Sequence, residues 1–185
     1  MRQHWRSVAF LGGLFAIWVT LKALGLTAPE TRSAKGETIA VRDGDTLRIG
    51  GDDHRLSGID APEYRQLCKD ARGRDWPCGK AARAALAAAV RGHTITCVIS
   101  ARDDYGRAVA SCTDERGADL AEAMIVTGLA ISDDGWMRGP YADQADAAKT
   151  ARRGLWAGRF ETPADYRAAH PKRESFAVDS SENAR

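Results

Sequence analysis

Four acidic and two basic side chains follow one another along this chain in an order that suits chemistry on a phosphodiester. Asp43 and Asp45 flank a glycine in Asp43-Gly44-Asp45-Thr46. Arg55, Asp60 and Glu63 share the stretch Arg55-Leu56-Ser57-Gly58-Ile59-Asp60-Ala61-Pro62-Glu63, and Arg107 ends Asp103-Asp104-Tyr105-Gly106-Arg107. Hard cations such as calcium take several oxygen ligands from carboxylates, carbonyls and water. Asp45, Asp60 and the carbonyl of Ala61 form such a candidate set, with Asp43 placed to orient a coordinated water. Glu63, stiffened by Pro62, is a candidate acceptor for the proton of an attacking water. The guanidinium forks of Arg55 and Arg107 match phosphate oxygens on which charge builds.

Taken singly, each signal has a plainer account. Asp-Gly is a common turn pair, so Asp43-Gly44-Asp45-Thr46 also reads as a simple hairpin turn. Either arginine also suits a surface ion pair with a nearby aspartate, and most glutamates in loops are only solvated. The polar loop Tyr64 to Pro77 carries Arg65, Lys69, Arg72 and Arg74; it is either a backbone-attracting patch or a solvated face.

The elements that must position these side chains are legible in outline. Strand-like pieces run Glu37–Arg42, Thr46–Ile49 and His54–Ile59, separated by Asp-Gly and Gly-Gly-Asp-Asp turns. Gly79 to Arg91 is alanine-rich and stops at Gly92, which predicts a helix. A hairpin is expected over Thr94–Cys112, then a helix capped by Asp119 and ending near Thr127, then a helix from Pro140 to Arg153. Short strands with tight turns, followed by helices, predict an α+β fold: a five-stranded oligonucleotide-binding barrel with three packed helices.

At 185 residues, with 44% hydrophobic and 28% charged residues, the chain has the makeup of one folded domain with extensions. A net charge of +2 excludes a bulk polycation. Arg2 and Arg6 precede the uncharged apolar run Val8–Leu21. Residues 1–26 therefore read as an export signal, with Ala23-Leu24-Gly25 as a weak cleavage site, or as a retained membrane anchor. The expected location is exported: periplasmic, secreted or membrane-anchored. Residues 27–36 read as a linker, 37–160 as the domain and 161–185 as an extension, disordered at its end. Cys68, Cys78, Cys97 and Cys112 are an even set in an export context. Cys97 and Cys112 face each other if the hairpin forms, and Cys68 and Cys78 bracket the polar loop, so two disulfides in those pairings are expected. No Cys-x-x-Cys and no histidine at ligand spacing supports zinc.

Together the three charged segments, with Ala151-Arg152-Arg153-Gly154-Leu155-Trp156, resemble the staphylococcal nuclease (thermonuclease) family over roughly Glu37–Trp156. The resemblance implies one calcium ion on Asp45, Asp60 and the Ala61 carbonyl, and Glu63 acting on the attacking water. It implies Arg55 and Arg107 on the scissile phosphate and Tyr105 on a substrate phosphate. The expected enzyme is a monomeric nuclease acting on DNA and RNA, single-stranded by preference, that leaves 3′-phosphates. Two departures stand out: Asp104 replaces a lysine of the best-known member, and the segment Ile131–Trp136 offers no counterpart to that member's second nucleotide-side tyrosine, with Trp136 as a substitute stacking face. The alternative is a noncatalytic barrel that binds nucleic acid or a protein partner. A third is an envelope protein whose substrate is another phosphodiester.

Overall fold

The computed structural model describes residues 19–20, 28–133 and 138–171. In chain order the elements are strands β1 (Glu30–Lys35), β2 (Ala40–Val41), β3 (Thr46–Ile49), β4 (Asp52–Leu56), β5 (Ile59–Asp60), β6 (Cys68–Lys69) and β7 (Asp75–Trp76). Helix α1 (Cys78–Val90), strands β8 (Thr94–Arg102) and β9 (Ala108–Thr113), helix α2 (Leu120–Val126) and strand β10 (Ile131–Ser132) follow. Helices α3 (Ala142–Thr150) and α4 (Pro163–Ala169) complete the set, with single 3-10 turns at Gly36–Thr38 and Gly154–Ala157.

One mixed sheet dominates, in the order β1-β8-β9-β4-β3-β2. Its pairings are antiparallel except β4 with β9, which runs parallel with Arg55 opposite Val109. The sheet curls until β1 comes alongside β3, giving a half-barrel with helices packed outside. The α+β, oligonucleotide-binding type of architecture is therefore present; among the described residues the main sheet has six strands and four helices are seen, where five and three were expected.

The extra strand is β1. Residues 27–36 were read as a linker because they lack periodicity, yet Glu30–Lys35 pairs along its length with β8, from Glu30 opposite Ile99 to Lys35 opposite Thr94. An edge strand exposed to solvent needs backbone partners rather than apolar side chains, so it left no hydrophobic pattern to read. The extra helix is α4, inside the stretch taken as an extension. Thr162 caps it by accepting from the Asp165 N–H at 3.1 Å, and Pro163 opens its first turn. All of the signal or anchor segment 1–26 except Val19 and Thr20 lies outside the described residues, as do Trp136 and the tail 172–185. No helix among the described residues is long and apolar enough to cross a membrane.

Local signals explain the remaining elements. In α1 the buried positions Cys78, Ala82, Leu86 and Val90 recur every four residues; the last three join the main core, and Cys78 joins a second cluster. Asp119 accepts from the Ala121 and Glu122 N–H groups at 2.7 and 3.3 Å, so α2 begins where its cap stands. Leu47, Leu56, Ile59, Leu86, Ile95, Met124 and Ile125 form the main core, which also holds the Cys97–Cys112 disulfide between register partners of β8 and β9. The second disulfide, Cys68–Cys78, sits in a smaller cluster with Leu155, Trp76, Ile131 and Phe160.

That second cluster joins the polar loop to the C-terminal segment. With a sequence separation of 10 residues, losing the bridge in a Cys68→Ala/Cys78→Ala variant is expected to lower stability by roughly 2–3 kcal/mol. Urea unfolding checks this; an unchanged midpoint would mean that the bridge adds nothing to folding.

Candidate active site

The site grows from the ends of β3, β4 and β5. Along β4, His54 and Leu56 point into the core, while Asp53 and Arg55 face outward. Val109 opposes Arg55 on β9, and strand alternation puts Arg107, two residues earlier, on the same outward face. The segment Asp43-Gly44-Asp45 is more than a turn. A Cβ at Gly44 would come within 2.7 Å of both the Ala61 and the Ala82 Cβ atoms. Glycine is needed there so that the loop can press against α1 and carry Asp45 to the end of β5.

Arg55 ties the carboxylates together. Its Nη1 donates to Asp45 Oδ2 at 2.6 Å, and its Nη2 donates to Asp60 Oδ1 at 2.8 Å and to the Ile59 carbonyl at 3.2 Å. Asp45 Oδ2 also accepts from the Ala61 N–H at 3.2 Å, and its Oδ1 accepts from the Thr46 hydroxyl at 2.8 Å. Asp43 Oδ1 accepts from the Asp45 N–H at 3.2 Å, which places it directly behind that carboxylate. Burial pushes the Asp45 carboxyl up to about 7; Arg55 pulls the other way, and the charge of Asp43 adds to the rise.

Glu63 stands at the rim. Gln66, with no exposed surface, fixes its backbone: the Gln66 Oε1 accepts from the Glu63 N–H at 3.2 Å, and the Gln66 N–H donates to the Glu63 carbonyl at 2.7 Å. A Cβ at Gly79 would meet that same carbonyl oxygen at 1.8 Å, so only glycine lets α1 start so close to the loop. Arg107 Nε donates to Asp103 Oδ2 at 2.7 Å, and its guanidinium carbon lies 5.7 Å from the centre of the Tyr105 ring. Tyr105 is 87% exposed, presenting a bare aromatic face beside that arginine.

The structure thus brings Asp43, Asp45, Arg55, Asp60, Ala61 and Glu63 into one cluster. It keeps Arg107 and Tyr105 as a neighbouring pair bonded to their own loop. Among the described residues, no group of three or more His, Cys, Asp or Glu side chains forms a ready metal cage. The donors nevertheless fit one hard cation. Asp45 and Asp60 converge on one point at the end of β5, and all the donors are oxygens. Two carboxylates and a carbonyl leave further coordination positions for water and a phosphate oxygen.

Two members of the cluster escaped the sequence reading, Gln66 and Arg167. Arg167 on α4 donates from Nη1 to Asp60 Oδ1 and from Nη2 to Asp60 Oδ2, both at 3.0 Å, and from Nη1 to Glu63 Oε1 at 3.3 Å. The start of its helix was readable in Thr162-Pro163-Ala164-Asp165, which carries a cap and an opening proline. Its partners lie more than a hundred positions away and left no local mark.

A family model described as staphylococcal nuclease homologue matches residues 53–158. The chain belongs to the staphylococcal nuclease homologue family. The matched stretch contains Arg55, Asp60, Ala61, Glu63, Tyr105 and Arg107, while Asp43, Asp45 and Arg167 lie outside it. Among curated relatives of this family member, "Succinoglycan biosynthesis protein ExoI" of Rhizobium meliloti (strain 1021) is 38% identical over 123 residues, 66% of this chain and 64% of that one. "Probable endonuclease LCL3" of Schizophyllum commune is 34% identical over 148 residues, 69% of this chain and 47% of that one. Its namesake in Pyricularia oryzae is 29% identical over 171 residues, 86% of this chain and 59% of that one. The chain spans less than two thirds of the length of each of these relatives.

Proposed function

We propose that this member of the staphylococcal nuclease homologue family is an exported, calcium-dependent nuclease that hydrolyses DNA and RNA to products ending in 3′-phosphates. The observation that carries the reading is the Arg55 bridge, which gathers Asp45 and Asp60 at the end of β5 with Glu63 on the rim. Two relatives bearing the name endonuclease support it. Export rests on the basic and apolar start of the chain, and the two disulfides suit an oxidising compartment.

The residues divide the work as follows. Asp45, Asp60 and the Ala61 carbonyl would hold the calcium ion, which supplies positive charge to a phosphoryl oxygen when bound. Arg55 and Arg107 orient the scissile phosphate and balance the charge that gathers on its oxygens. Glu63 accepts a proton as the water oxygen bonds to phosphorus, and the bond from phosphorus to the 5′-oxygen breaks. The 5′-oxygen leaves as a hydroxyl after taking a proton from solvent. Tyr105, exposed beside Arg107, contacts a neighbouring phosphate or base.

The test uses the full chain with single-stranded DNA and with RNA, in calcium and in chelator, with product ends analysed. Cleavage in calcium alone, giving 3′-phosphates on both polymers, is expected. Binding without cleavage in calcium, magnesium and manganese would replace this reading with that of a noncatalytic barrel.

A further inference from the structure

Arg167 brings a third guanidinium to a site for which the roles above use two. Its fork straddles both oxygens of Asp60 and reaches Glu63, so it touches the carboxylate proposed to hold the cation and the one proposed to take the proton. Arg55 closes the same cluster from within, its side chain 17% exposed, while that of Arg167 is 43% exposed. Arg167 therefore lies on the more exposed side of the cluster.

The seat of this arginine is built. Buried Gln66, which fixes the Glu63 backbone, also donates from Nε2 to the Glu161 carbonyl at 2.7 Å, just before α4. Lys69 and Arg159 exchange backbone hydrogen bonds at 2.7 and 3.1 Å, and Leu155 and Phe160 pack on the Cys68–Cys78 bridge. The loop that carries Glu63 thus anchors the segment that carries Arg167. A tail that merely trailed from the domain would need none of these bonds.

Resting on the nuclease reading, we propose that Arg167 is a third phosphate ligand of the site, seated on Asp60 and Glu63 in the free protein and turned to a substrate phosphate once a divalent cation occupies those carboxylates. Asp45, Asp60 and Glu63 face Arg55 and Arg167, with Asp43 behind Asp45. A divalent cation on Asp60 would compete with Arg167 for the same two oxygens and repel its charge. The guanidinium fork that fits a carboxylate fits a phosphate equally well, and the cation brings a phosphate within its reach.

Wild type, Arg167→Ala and Arg167→Lys are compared as full chains. Calorimetric calcium titration without nucleic acid is expected to give about tenfold tighter binding in the alanine variant, the loss of one charge-assisted competitor. In calcium, the KM for single-stranded DNA is expected to rise about tenfold in that variant while kcat changes less, with the lysine variant between the two. In chelator, binding of the same oligonucleotide should be equal in all three proteins, because Arg167 then remains on the carboxylates. A calcium affinity that is unchanged or weakened, a KM that does not move, or an equal loss of binding in chelator would overturn the proposal. Should the wild type cleave no nucleic acid, the nuclease reading falls by itself. The calcium titration then still decides Arg167: equal affinities overturn its seat as the competitor of the cation, and tighter binding by the alanine variant upholds it.

Discussion

Glu63→Gln is expected to lower kcat on single-stranded DNA by about 10²–10⁴-fold, the usual contribution of a positioned general base. The substitution keeps the shape of the side chain but removes its negative charge, and with it the ability to take a proton and the ion pair to Arg167. The loop should not move, because Gln66 grips the backbone of residue 63 rather than its carboxylate. Arg167 keeps both of its bonds to Asp60, so α4 stays in place. The change in folding stability should then lie within about 0.5 kcal/mol, as for other substitutions at partly exposed positions. Initial rates at saturating calcium, with thermal unfolding as the control, separate the two effects. A variant within threefold of wild type would remove Glu63 from the proton transfer.

Arg55→Met is expected to be the most destabilising single change in the site. Methionine fills much of the arginine stem but leaves Asp45 and Asp60 without the cation they share. Breaking a buried pair on one side costs about 3–5 kcal/mol, because a buried charge is left uncompensated. The loss should depend on pH, and its sign follows from Asp45. Its folded-state pKa of about 7 lies above the ordinary 3.8, so between those values the folded chain holds a proton that the unfolded chain has released. Stability from this group therefore falls as pH rises through that window, and removing Arg55 extends the fall upward. Urea unfolding at pH 5 and pH 8 should show the larger loss at pH 8. Equal losses at the two values would show that Asp45 does not carry the effect. DNA cleavage should fall with this variant at either pH, since the phosphate loses its inner guanidinium.

What the sequence made legible follows from how locally each feature is encoded. The cap at Asp119, the alanine-rich α1 and the facing of Cys97 with Cys112 depend on neighbours along the chain or on strand register, so spacing reported them. The clustering of Asp45, Arg55, Asp60 and Glu63 was inferred from residue types in order, and the ends of β3, β4 and β5 bring them together. The Asp43-Gly44-Asp45 segment was ambiguous because a turn and a ligand loop share the same letters; only the close approach of Gly44 to Ala61 and Ala82 separates them. Strand β1 was missed because an exposed edge strand is held by its backbone. Arg167 and Gln66 were missed because they act across the fold, and nothing beside them in sequence predicts a partner at Asp60 or Glu161.

The edge position of β1 bears on how the protein can be handled. It covers the outer side of β8 along Thr94–Ile99, a run that includes the apolar residues Ile95, Val98 and Ile99. A chain trimmed to begin at Lys35 would keep every residue of the cluster and still strip that cover. Open backbone groups beside alternating apolar side chains are a template for pairing with another copy. Such a fragment should self-associate as its concentration rises, so soluble versions of the domain need to begin ahead of Glu30.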